Sequence, residues 1–143
     1  MRALLMLALA LALAGCRQEK VHKGKTTSAW VQEVKEGRWG PERWRAAMAL
    51  GEIGPEAREA LPALIGALDD KDHVVRWATA GALSRFGTDA EPAIARLQEL
   101  EQKDPNRAVR EAAGATLRAL GREPTGRDGG RAKEEKQPPG DLP

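Results

Sequence analysis

Residues Arg76–Gly87 read RWATAGALSRFG, and the chain writes this pattern twice more, as RWRAAMALGEIG from Arg43 to Gly54 and as REAAGATLRALG from Arg110 to Gly121. The leading arginines are 33 and then 34 residues apart, a fixed period of the size that marks one supersecondary unit stacked on copies of itself. At about 100° per residue, Val75, Ala78, Thr79, Ala82, Leu83 and Phe86 fall on one side. That is the period of an amphipathic helix, and its small residues permit close approach. Ala46, Ala49, Leu50 and Ile53 repeat the stripe before Gly54, and Val109, Ala112, Ala113, Thr116, Leu117 and Leu120 before Gly121. Each closing glycine suits a left-handed cap.

Working outward, Thr27–Glu36 carries Trp30, Val31 and Val34 at helical spacing behind Thr27 or Ser28 as a cap. It reads as the second helix of a truncated first unit. Gly40-Pro41 opens the first long helix, since proline is at home where a missing N–H costs nothing. Leu61, Leu64, Ile65 and Leu68 then give the stripe of a partner helix, and Ile94, Leu97 and Leu100 a narrower one. The tally is six helices, arranged as one lone, two pairs and one lone. Asp70 aligns with Asp104 and Asp72 with Asn106, so an acidic or amide acceptor recurs where helix N-termini expose N–H groups.

Asp-x-Asp or Asp-x-Asn, then Val-Arg, small residues, leucine, and an apolar residue before glycine: this succession resembles HEAT repeats, specifically the short bacterial kind grouped with phycobilisome lyase subunits. DKDHVVRWATAGALSRFG and DPNRAVREAAGATLRALG carry it most clearly; in the first unit Gly37 and Trp39 replace the two acceptors, which leaves the capping of its long helix open. The resemblance implies an all-α fold, a right-handed α–α superhelix of about two and a half repeats that presents a surface to protein partners. It also implies that Arg43, Arg76 and Arg110 form a ladder with acidic residues of neighbouring turns.

At the front, Arg2 is followed by an apolar run from Ala3 to Ala14, too short to span a bilayer and the right length for a secretory signal. Leu13-Ala14-Gly15-Cys16 resembles a bacterial lipobox. That resemblance implies cleavage before Cys16 and attachment of a diacylglyceryl group to its sulfur. Cys16 is the single cysteine, so no intramolecular disulfide forms and the one thiol stands where lipid would attach. Residues 1–15 are thus expected to be a lipoprotein signal peptide, 16–26 a solvated tether, 27–121 the repeat domain and 122–143 a disordered tail with no apolar period. The expected location is the bacterial cell envelope; Arg17 is not the aspartate that resembles an inner-membrane retention signal, so the periplasmic face of the outer membrane is the default if there are two membranes.

Few groups suggest chemistry. With 23 basic and 21 acidic residues the net charge is +2, which argues against a dedicated nucleic-acid binder. The two histidines, His22 and His73, have no second ligand at zinc spacing. Asp69, Asp70 and Asp72 lack the glycine and distal glutamate of a calcium loop and read as capping groups. No catalytic residue, metal or cofactor is expected, and the chain reads as a monomer.

The aromatic residues are the candidates for binding. Trp44 and Trp77 align across units, each roughly 170° from its helix's apolar stripe at 100° per residue. With Arg43, Arg76 and Met48 they form either an exposed hot-spot strip for a protein partner or a layer buried between repeats. Trp30 and Trp39 are expected to cap the first repeat. Ala112, Ala113, Gly114 and Ala115 make the last helix's outer edge small and bland, open to a partner helix or to the chain's own tail. The functional expectation is a lipid-anchored, non-catalytic scaffold or adaptor. Its alternatives are a lyase-related subunit in bilin attachment, which rests on the resemblance alone, and a structural envelope protein without a discrete partner.

Overall fold

A computed structural model of the chain describes residues 21–122; the expected signal peptide, Cys16 and the tail beyond Arg122 lie outside the described residues. Among the described residues six α-helices follow a short hairpin: α1 Thr27–Glu36, α2 Gly40–Ile53, α3 Leu61–Ala67, α4 His73–Leu83, α5 Ile94–Lys103 and α6 Arg107–Ala119. The three helices written by the repeated motif, α2, α4 and α6, pack side by side in one row, and α1, α3 and α5 back them as a second layer. The fold is all-α, as expected.

The pairing differs from the expected tally. Helix α1 packs on α2, α3 on α4 and α5 on α6, so the described residues form three helical hairpins. Helix α1 is therefore the first member of a complete first unit. Its short connection, Gly37–Trp39, corresponds to Leu68–Asp72 and Asp104–Asn106 in the other two hairpins. Leu50, Val75, Leu83, Phe86, Leu97, Val109 and Leu117 form the centre of one continuous core between the layers.

The glycines that end the first two copies of the motif do more than cap. Gly54 and Gly87 have φ of 67° and 55° with ψ of −140° and −132°, outside the left-handed helical well and in a region that essentially only glycine enters. Gly54 opens the 3-10 segment Gly54–Ala60 and Gly87 is the break inside the second, Ser84–Ala93; the two segments carry the chain back to the second layer.

The capping loops behave as the aligned acceptors imply. Asp72 Oδ1 accepts from Val74 N at 2.9 Å and Asn106 Oδ1 from Ala108 N at 2.9 Å, each satisfying an N–H left open at a helix start. Where Trp39 replaces that acceptor, Glu42 in the first turn of α2 reaches back to Trp39 N at 3.3 Å. The first long helix is thus held from within. A Cβ on Gly40 would run into the Asp72 carboxylate, so that negative group also lies against the N-terminus of α2, where the helix dipole favours it.

The expected solvated tether is partly folded. Val21–His22 pairs antiparallel with Lys25–Thr26, and the hairpin is fastened at three points. Trp30 Nε1 donates to His22 O at 2.9 Å, His22 Nε2 and Lys23 Nζ meet Glu52 at 2.7 and 2.6 Å, and Lys25 pairs with Glu33. Trp30 is buried beneath it with Lys25 4.6 Å above its ring, as a residue closing the first repeat should be. Trp39 does not share that role: the residue is 61% exposed, with the Arg38 guanidinium 5.5 Å from its ring centre.

Candidate binding groove

The repeated arginines stand at the loop end of the solenoid, where consecutive hairpins meet. Arg43 grips Asp70 with both arms of its fork, Nε to Oδ2 at 2.6 Å and Nη2 to Oδ1 at 2.9 Å; Arg76 grips Asp104 likewise at 2.7 and 3.0 Å. The third nitrogen of each is fixed on backbone, Arg43 Nη1 on Gly37 O and Arg76 Nη1 on Asp70 O, both at 2.8 Å. The same aspartates also take the N–H two residues on, Asp70 from Asp72 N and Asp104 from Asn106 N, both at 2.8 Å. Each acid therefore shapes its own loop and locks it to the preceding hairpin.

Burial alone would raise the Asp70 and Asp104 pKa values, but the arginine and backbone N–H bonds outweigh it and hold both carboxyls below their usual range. Hydrogen bonding to the aspartates in turn raises the pKa values of Arg43 and Arg76.

This overturns the placement of Arg43 and Arg76 on a partner-facing strip. Arg43 is 7% exposed and every nitrogen of both forks already holds a partner within the fold, so both guanidiniums are committed to joining the hairpins. The ladder implied by the family resemblance is their role.

On the other side of the helix row the structure opens a groove. Met48, Gly51 and Glu52 of α2, Trp77, Ala78, Gly81 and Ala82 of α4, and Ala112, Ala115, Thr116 and Ala119 of α6 line a cavity of about 340 Å³, with Ser84 and Arg85 at its end. Trp77 and Met48 are 43% and 38% exposed. Trp44 is not part of it; it is half-buried and packs against the core. The two aligned tryptophans thus divide the open alternatives between them, Trp44 in the structure and Trp77 at the surface.

The floor of the groove was missed because it is made of the least conspicuous residues. The small residues of α6 that read as a bland outer edge go to three places: Ala113 into the core, Gly114 against Glu101, and Ala112 and Ala115 into the groove beside Trp77. Their smallness is the signal: where the third unit withholds bulk, the tryptophan of the second stays uncovered.

The acidic loop residues are already engaged, Asp69 with Arg96, Asp70 with Arg43 and Asp72 with the start of α4. Their geometry is that of ion pairs and caps.

A family model for HEAT repeats matches residues 27–118. The chain is a HEAT-repeat protein. Among curated proteins nothing matches it. The match covers all three hairpins of the solenoid, and both the arginine ladder and the groove are built from HEAT helices.

Proposed function

We propose that this HEAT solenoid is a non-catalytic adaptor that holds a protein partner in the Trp77 groove while its N-terminus is anchored to a bacterial membrane through lipid on Cys16. The observation that supports the groove is the exposure of Trp77 and Met48 above a floor of glycine and alanine. A void of this size, within the range of about 300–1,000 Å³ usual for binding pockets, accepts one or two apolar side chains from a helix or extended segment. Small residues beneath let a partner backbone come close, and tryptophan is the side chain most enriched in binding hot spots.

Among the described residues no helix is long and apolar enough to cross a membrane, so the membrane part of this reading rests on the lipobox-like Leu13–Cys16. If Cys16 carries lipid, the folded hairpin shortens its leash to the few residues before Val21, at most roughly 20 Å of extended chain. Glu52 fastens that hairpin and also lines the groove, so a partner in the groove would be held close to the head groups.

Photo-crosslinking tests the groove: a reactive residue in place of Met48 or Ala115 should capture one common partner, and the same residue in place of Glu59 on the exposed 3-10 segment should not. Equal capture from all three positions would refute the groove. Metabolic labelling with a palmitate analogue tests the anchor; label that persists after Cys16→Ala would refute it.

A further inference from the structure

Met48, Gly81 and Ala115 hold the same position in consecutive units, and all three are exposed across the middle of the helix row. Gly81 has no use within the fold. Glycine inside a helix is less stable than alanine, yet a Cβ at this point of α4 would meet nothing within 4 Å. What a bare backbone permits is the close approach of another one. Charged residues flank this line in a regular way. On α2, Arg45 stands three residues before Met48 and Glu52 four after; on α6, Glu111 stands four before Ala115 and Arg118 three after. All four are exposed. At about 100° per residue each pair falls on one side of its helix, turned away from Gly51 and Thr116, which pack toward α4. The charges therefore rim the two outer edges of an apolar face.

We propose that the partner held in the groove is a second copy of this chain, the two packed face to face about a two-fold axis that runs along the row through Met48, Gly81 and Ala115. The proposal rests on the groove reading, names its occupant and replaces the expected monomer. Such an axis lays each helix antiparallel on its own counterpart, so whatever stands before the line in one copy meets what stands after it in the other. Arg45 then faces Glu52, and Glu111 faces Arg118. Trp77, four residues before Gly81, comes over the far end of the other copy's groove, between Ser84, Arg85 and Ala119. Arg85 is exposed there and meets no carboxylate among the described residues, and the face of an indole suits a cation. Each tryptophan is thus the knob for the recess that its own chain leaves open.

The other way of facing two copies, about an axis parallel to the helices, lays α2 on α6. It would pair the charged rims equally well. It would also bring the two Arg85 side chains to one level and set each Trp77 against the place where Gly51 packs on Ala82, which has no recess. The antiparallel arrangement is therefore the one the central helix selects. Because its axis runs along the row, both N-terminal hairpins come to the same end of the pair, as two chains anchored in one membrane require. Three helices spaced 8–10 Å apart and roughly 16–21 Å long give a face of roughly 400–600 Å² per copy. That is below the roughly 800 Å² per partner of a standard stable interface, and exposed rim charges set register more than they add affinity. The pair is accordingly weak and reversible, and a covalent trap is the way to see it.

Single cysteines in the full chain supply that trap, in a Cys16→Ala background that leaves no other thiol. Under mild oxidation Met48→Cys and Ala115→Cys should each link to their own kind, because residues on the axis bring their Cα atoms within the roughly 4.4–6.8 Å that a disulfide spans. Ala119→Cys lies on the same face but four helical rises, about 6 Å, from the axis, so its two copies stand about 12 Å apart and should not link. Glu59→Cys on the 3-10 segment should not link either. Gly81→Leu puts bulk into space that the fold leaves empty; helical circular dichroism should be unchanged while linkage from Ala115→Cys falls about tenfold or more. Self-linkage that is absent, or that survives Gly81→Leu, would overturn the pair, as would a mixed link between Met48→Cys and Ala115→Cys chains without self-links. Photo-capture of a different protein from Met48, with the cysteines unlinked, would overturn the pair and leave the groove reading standing. If neither method links anything, both readings fall.

Discussion

The joint between the first and second hairpins and the joint between the second and third share one end and differ at the other. At the loop end both are closed by the same device, Arg43 on Asp70 and Arg76 on Asp104. Across the helix row they part. At the first joint Gly51 lies so close to α4 that a Cβ there would come within 2.8 Å of Ala82 Cα, and Trp44 fits against the core. At the second, Trp77 faces Ala112 and Ala115 across open space. The spacing of the repeats is thus set by the charged end, and the sizes of the side chains decide whether the far end is filled by the protein or left for something else.

Removing a rung of the ladder should have the largest effect. Asp104 is 6% exposed, and Asp104→Ala would leave the Arg76 charge without its counterion; breaking a buried pair in this way costs about 3–5 kcal/mol. A large fall in the thermal midpoint is expected, with the chain still helical below it. Asp70→Ala should do the same at the other joint, since the two are built alike, and a clear inequality between them would break the symmetry argued here.

Acid should act on both rungs together. Asp70 and Asp104 have folded-state pKa values below the ordinary 3.8, so their contribution is complete above that pH and disappears as pH falls through the lowered folded values. Thermal midpoints should be flat above about pH 5 and drop below about pH 4. Asp104→Asn should flatten part of that drop, because one of the titrating groups is gone.

The far ends of the joints should respond in opposite senses to added bulk. Gly51→Val forces a branched side chain into the closed joint and is expected to cost about 1–3 kcal/mol, seen as a shift in denaturant midpoint. Ala115→Leu adds more atoms to the open joint, where there is room for them, and its effect on stability should stay within about 1 kcal/mol. The second substitution should instead abolish crosslinking of the partner from Met48. If Gly51→Val proves harmless, the first joint is not closed by contact.

How much of this the sequence made legible depended on whether a residue's role was local to its repeat. The periodic stripes placed all six helices, and the aligned acceptors Asp72 and Asn106 proved to be caps, because both signals act within a few residues. The pairing of α1 with α2 was hidden: a lone stripe before Gly37 looks the same whether it precedes or follows its partner. The hairpin at Val21–Thr26 was hidden for another reason, since its bonds reach Trp30, Glu33 and Glu52, and nothing in VHKGKT announces them. Arg43 and Arg76 carried two readings, flanks of a tryptophan strip and rungs of the ladder that the HEAT resemblance implies; the choice between them follows only from knowing which loops meet, although the aspartates lie 27 and 28 residues downstream. The groove floor was the least legible of all. Alanine and glycine read as bland until a tryptophan from the neighbouring hairpin is set over them.

The smallest expected effect on stability is the one most informative about function. Trp44 and Trp77 occupy the same position in consecutive units, so the same substitution tests the two joints directly. Trp44→Ala removes a side chain packed against the core and should cost about 3 kcal/mol if its ring is as integral as its contacts imply. Trp77→Ala removes a ring with solvent on much of its surface and should cost roughly 1 kcal/mol or less, with helical circular dichroism unchanged. In a Trp39→Phe background, which removes the other exposed tryptophan, an aqueous quencher should reach Trp77 and largely spare Trp44, and adding Trp77→Phe should abolish the quenchable part of the emission. Partner binding should follow the opposite order, surviving any Trp44 variant that folds and failing with Trp77→Ala. Equal stability losses at the two tryptophans would mean that the second joint is closed in solution and that the groove is not an open surface.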